Sequence, residues 1–163
     1  MNEMERLVAM DRIGTAGLEM TVQAEPGELA AIAARLLIPR VSRLRCAFRL
    51  KRLEASIIEA AGQLEADVTQ TCVVTLEDFD QPLGEQFVVR FVPEGTESDD
   101  DDPDAPDEIG YPAGAIDLGE AAVQQLALAL PPYPRKPGLP ETQESEPETP
   151  NPFAALAGLR RPQ

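Results

Sequence analysis

The stretch Val41-Ser42-Arg43-Leu44-Arg45-Cys46-Ala47-Phe48-Arg49-Leu50 decides the fold class. Val41, Arg43, Arg45, Ala47 and Arg49 share one parity; Ser42, Leu44, Cys46, Phe48 and Leu50 share the other. Successive side chains of a strand point to opposite faces, so this period of two predicts a strand with an apolar face toward a core and an arginine face toward water. A sheet with one solvated face points to antiparallel pairing, since parallel sheets are covered on both sides.

The same period recurs on either side. Leu18, Met20 and Val22 alternate with Glu19, Thr21 and Gln23, predicting a strand over Gly17–Ala24. Downstream, Ile57–Ala60 and Gly62–Val74 supply strand material, with Leu64, Ala66, Val68, Gln70 and Cys72 on one parity. Glu77–Gly84, rich in Asp, Pro and Gly, reads as a turn. Glu85–Val92 follows as a strand, apolar on both parities apart from Arg90 and so expected to be covered on two faces.

Two helices interrupt this pattern. Leu29, Ile32, Ala33 and Leu36 recur at helical spacing between Pro26, acceptable in an opening turn, and Pro39, which stops the run. From Asp117 to Leu130 a second helix is expected, with Asp117 as N-cap and Glu120 completing a capping box. Its buried face would carry Leu118, Ala122, Leu126 and Ala129, and Pro131-Pro132 ends it. The expected fold is therefore α+β: an antiparallel β-sheet with two packed helices, an acidic disordered insertion and a flexible C-terminal tail. Residues 1–134 would form one domain, with the insertion at 94–108, a Pro/Glu-rich linker at 135–150 and a short apolar and basic docking motif at 151–163.

Charge separates these regions. The formal net charge is −15, but Met1–Pro93 carries 10 Lys+Arg against 14 Asp+Glu, whereas Glu94–Pro150 carries 15 acidic residues and only Arg135 and Lys136. Such a like-charged run stays solvated. Ten of the 16 prolines lie after Gly110, so the segments hardest to pack are also late in the chain. No segment approaches the roughly 18–20 apolar residues that span a bilayer. The start, MNEMERLVAM, lacks an apolar signal region, so a cytoplasmic protein is expected, with Cys46 and Cys72 reduced.

The chain contains no histidine, which removes the usual general base and the commonest metal ligand. Ser-His and Cys-His catalysis are excluded within one chain. Asp78 and Asp80 suit a turn more than a catalytic pair. Asp99–Asp102 lacks the glycine and terminal glutamate of a calcium loop, and Gly14–Gly17 lacks the spacing of a phosphate loop. No enzymatic activity, cofactor or metal is expected.

The basic stretch carries more information. Leu29–Leu53 holds no acidic residue and seven basic ones: Arg35, Arg40, Arg43, Arg45, Arg49, Lys51 and Arg52. Arginine forks match phosphate geometry, so Arg40, Arg43, Arg45, Arg49, Lys51 and Arg52 form a candidate RNA- or partner-binding set. The alternative is a solvated sheet face paired with Glu19, Glu54, Glu65 or Glu85. No aromatic residue interleaves on that face, so base stacking is not indicated. Near the end, Phe153, Leu156 and Leu159 recur at i, i+3, i+6 and could dock on a protein partner or pack back on their own domain.

Val68-Thr69-Gln70-Thr71-Cys72-Val73-Val74-Thr75-Leu76-Glu77, then Glu85-Gln86-Phe87-Val88-Val89-Arg90-Phe91, resembles the central signature of the YceD family. The acidic insertion, Ile116–Glu120, Leu126–Pro132 and Asn151–Leu159 follow in the family's order. The resemblance implies a role in accumulation of large-subunit (23S) ribosomal RNA and no established catalysis. Partners would be that RNA or ribosomal proteins; a second possibility is an acidic escort for basic ribosomal proteins, with Glu94–Glu108 imitating nucleic acid. Many relatives carry C-x-x-C at Cys72, but here the pair reads Cys72-Val73-Val74-Thr75, so a family zinc site, which needs about four ligands, would be lost.

Overall fold

The computed structural model describes residues 3–98, 105–112 and 114–139. Its strands are β1 (Leu7–Ala9), β2 (Leu18–Gln23), β3 (Arg40–Arg52), β4 (Ile58–Thr71), β5 (Asp78–Pro93), β6 (Asp107–Tyr111) and β7 (Ala115–Asp117), and its α-helices are α1 (Pro26–Arg35) and α2 (Leu118–Ala129). β2 to β6 form one sheet in sequence order, and β1 pairs with β7 in a separate ribbon. The α+β class stands. Its sheet is mixed rather than wholly antiparallel, because β6 runs parallel to β5. The connection from Pro93 to Asp107 is of the length a parallel crossover needs, about a dozen residues.

β3 buries Leu44, Cys46, Phe48 and Leu50, as the alternation requires. Val41 is buried too, against its parity, because a bulge between Val41 and Arg43 resets the alternation. β4 runs unbroken and places Ile58, Ala60, Leu64, Ala66 and Val68 in the same core. α2 closes that core with Leu118, Ala122 and Leu126, while α1 adds Ile32 and Ala33.

Two expectations about β5 fail. Asp78–Gly84 is strand, not turn, and the reversal occurs earlier, at 72–77. There Cys72 N–H donates to Glu77 O and Leu76 N–H to Cys72 O, both at 2.9 Å. Pro82 fits because β6 pairs only with Val89–Pro93, so among the described residues the outer side of Asp78–Val88 has no neighbour and tolerates a missing N–H. The second difference is exposure: Val92 is buried but Val88 is exposed, so only the end of the strand is covered on both faces.

The N-terminal segment packs more deeply than its sequence suggests. Met4, Val8 and Ile13 are fully buried. Gly119 makes this possible, since a Cβ there would overlap the Met4 carbonyl oxygen. Arg6 holds the segment to α1 through a two-pronged contact with Glu28, at 2.9 and 2.8 Å. Asp117 caps α2 as expected, accepting from Gly119 N–H at 2.9 Å and Glu120 N–H at 3.2 Å. Glu120, however, turns to Arg35 at the end of α1, at 2.6 and 2.8 Å, because a guanidinium is a stronger donor than a backbone amide.

The expected acidic insertion is shorter at its end, since Asp107 and Glu108 lie in β6. Asp99–Asp102 and the segment carrying Phe153, Leu156 and Leu159 lie outside the described residues.

Candidate nucleic-acid interface

β3 projects Arg43, Arg45, Arg49 and Lys51 from the sheet face opposite the core. Their cross-strand neighbours are fixed by register. Glu19 and Ala61 flank Arg49; Gln23 and Glu65 flank Arg45; Asp67 lies beside Arg43 and Glu59 beside Lys51. The carboxylates meet the guanidiniums. Arg49 Nε donates to Glu19 at 3.0 Å and Arg43 Nε to Asp67 at 2.8 Å. Glu65 lies 3.7 Å from Arg43 and 3.6 Å from Arg45.

These are surface pairs: Arg49 and Glu19 are 77% and 73% exposed. Each contributes about 0–1 kcal/mol, since water screens the charges and holding two long side chains costs entropy. A competing anion can therefore displace a carboxylate at small cost.

The other candidate cations are placed differently. Arg40, opposite Thr69 at the start of β3, is exposed and makes no hydrogen bond or ion pair among the described residues. Arg52 turns back to the fold, donating to Ile13 O at 2.8 Å, Ala55 O at 2.7 Å and Met10 O. Its bonds to Ile13 and Met10 join residues about forty positions apart and have no local sequence signal. Arg35 bridges Glu3 and Glu120.

Between the rows of β2 to β5 lies a hollow of about 610 Å³ that the sequence did not reveal, bordered by Ala47, Arg49, Ala61, Gln63, Gln86 and Val88. It exists because Ala47 and Ala61 are small while their neighbours are long. Behind it, Gly62 leaves room for the Phe87 ring, which meets Phe48 edge to face at 5.8 Å. Gln63 and Gln86 are cross-strand partners, so two amides stand side by side next to Arg49.

A second site lies at the far end of β4. Cys72, expected within a strand, sits at the opening of the 72–77 turn, fully covered. Lys136 N–H donates to its Sγ across 3.4 Å, Val73 N–H donates to Pro134 O at 2.9 Å, and Lys136 Nζ reaches Glu77 at 3.0 Å. The Lys136 amide, followed by the Thr75 hydroxyl and amide, lowers the Cys72 thiol to about 6. Although no surface of Cys72 is open to solvent, only a turn and the strap at 134–136 cover it, so desolvation is outweighed by these donors. Cys46, deep in β3, is instead pushed up to about 12 by burial. Both thiols are free. Among the described residues no three Cys, Asp or Glu side chains come together as a metal site, and no helix is long and apolar enough to cross a membrane.

A family model described as large ribosomal RNA subunit accumulation protein YceD matches residues 60–160. The chain belongs to the YceD family. No curated protein and no solved structure matches it. The YceD match begins in β4 and takes in the Cys72 turn, β5 and α2, whereas the arginine strand β3 precedes it. Membership of YceD links the protein to large-subunit ribosomal RNA accumulation.

Proposed function

We propose that this YceD-family protein promotes accumulation of large-subunit ribosomal RNA by binding the RNA, without catalysing a reaction. Arg43, Arg45 and Arg49 contact phosphates, and the hollow beside them accepts an unstacked nucleotide. The observation that carries this reading is the hollow itself: about 610 Å³, with Arg49 at its edge and the Gln63 and Gln86 amides facing in from neighbouring strands. Side-chain amides recognise base edges of single-stranded RNA, and guanidiniums hold its backbone. The absence of histidine supports the non-catalytic part.

The test is affinity for large-subunit ribosomal RNA fragments after Arg43→Glu, Arg45→Glu and Arg49→Glu together. The expected outcome is at least a tenfold loss with the thermal unfolding midpoint little changed, because all three side chains are on the solvent face. Unchanged affinity would sink the assignment.

The strongly acidic stretch from Glu94 to Pro150 favours a second reading, an escort for basic ribosomal proteins. Substituting Asp99, Asp100, Asp101 and Asp102 by Ser separates the two. It leaves β6 intact, and it weakens binding under the escort reading while sparing or improving RNA binding under the first.

A further inference from the structure

A groove of about 590 Å³ runs between α1 and the start of β3, lined by Leu29, Ala30, Ala33, Ile38 and Val41, with Arg40 at its rim. We infer that this groove seats the chain's own C-terminal segment, with Phe153, Leu156 and Leu159 as its anchors. The inference goes beyond the RNA-binding reading and does not rest on it.

Shape and chemistry provide the first support. The alanines of α1 leave space above the helix surface, and the groove's larger lining residues are aliphatic. Apolar side chains at i, i+3 and i+6 form a stripe suited to such a groove, the way amphipathic helices are commonly recognised.

Charge provides the second. Arg40 makes no hydrogen bond or ion pair among the described residues, whereas its neighbours along the strand are engaged. The sequence leading to Phe153 carries Glu141, Glu144, Glu146 and Glu148 and no basic residue after Lys136. An acidic approach to an apolar anchor complements a free cation at the rim of an apolar groove.

Position and length provide the third. The described chain ends at Leu139, three residues after Lys136, whose amide binds Cys72 Sγ. Cys72 follows β4 closely, and Thr69 of that strand is paired with Arg40. At a strand rise of about 3.3 Å per residue, Cys72 and the groove rim are roughly 10 Å apart along the sheet, so the tail departs from the end where the groove opens. The 13 residues between Leu139 and Phe153 are enough to cross that distance, since an extended chain reaches about 3.3 Å per residue. Tethering within one chain raises the local concentration to roughly millimolar, so a weak contact is sufficient. Docking would draw the glutamates across Arg40 toward Arg43, making the tail a competitor for anions at the arginine face.

The test uses the full-length chain with benzoylphenylalanine in place of Phe153, photoactivated and mapped by mass spectrometry. The expected result is a crosslink within the monomer to residues 26–42, abolished by Ala30→Glu, a change at an exposed position that spares folding. Crosslinks to another part of the chain, crosslinks joining two chains, or none within the protein would overturn the inference. A second measurement compares backbone amide shifts of residues 29–42 in the full chain and in the Phe153→Ser, Leu156→Ser, Leu159→Ser variant. Docking requires them to differ, and identical shifts would overturn it. Neither readout depends on RNA.

Discussion

Gly62 lies beneath the ring of Phe87: a Cβ on Gly62 would overlap the ring carbon Cζ. The two are register partners on β4 and β5, and Gly62 is also opposite Phe48 on β3. The aromatic ring supplies the packing that glycine cannot.

Gly62→Ala should therefore destabilise the fold by about 1–3 kcal/mol, the usual cost of inserting a methyl into a filled site. Urea unfolding would measure it. A loss under about 0.5 kcal/mol, within the range of an ordinary surface substitution, would show that Phe87 swings away freely.

Leu37 follows α1 with φ of 55°, and its side chain is 91% exposed. Leu37 N–H donates to Ala34 O and Ile38 N–H to Ala33 O, the paired bonds that close a helix through a left-handed residue. Leucine gains little burial there and bears the left-handed strain, so Leu37→Gly should stabilise the protein by roughly 0.5–1 kcal/mol, after allowing for glycine's extra unfolded-state entropy. An upward shift of the urea midpoint is the expected reading.

These two positions bear on what the sequence made legible. The alternation of β3 disclosed both its buried face and the outward placement of Arg43, Arg45 and Arg49. The bulge at Ser42 was hidden, because one extra residue changes parity without changing composition. Asp78–Gly84 looked like a turn because Asp, Pro and Gly favour turns. On a strand stretch with one free side those residues are tolerated, and Thr69 and Thr71 hydroxyls donate to Asp80 and Asp78 at 2.6 and 2.8 Å. β1 and β7, three residues each, are too short to show a period. Of the carboxylates beside the arginines, Glu19 and Glu65 were named from sequence and Asp67 was not, since pairing depends on register. The Cys72 environment was invisible because its main donor, Lys136, is 64 residues away in sequence.

The Cys72 thiol offers a pH test. Its folded value, about 6, lies below the ordinary 9.0, so it contributes stability that is present above pH 9 and lost as pH falls through 6. Absorbance at the thiolate band should show one inflection near pH 6 in the native protein, since Cys46 is pushed up to about 12. Cys72→Ser should remove that inflection, and a native titration only near pH 9 would contradict the hydrogen bonding at Sγ.

Arg35 joins Glu3 near the N-terminus to Glu120 on α2, and both carboxyls are held below their ordinary 4.5 chiefly by hydrogen bonds from Arg35. Depressed carboxyls stabilise the fold above their unfolded values, and this contribution disappears on acidification below about pH 4.5. Arg35→Ala should therefore flatten the acid limb of stability against pH. The effect should be small, because the guanidinium is 36% exposed and screened by water. An acid limb as steep as that of the unsubstituted protein would show that other carboxylates dominate it.

The most direct test of the central claim is the salt dependence of binding to large-subunit ribosomal RNA fragments. The unsubstituted protein is compared with the Arg43→Ala, Arg45→Ala, Arg49→Ala variant. If these arginines contact three phosphates, the slope of log affinity against log salt should fall by about 2–3, at roughly 0.7–0.9 per contact. Parallel lines for the two proteins would contradict RNA binding through this face.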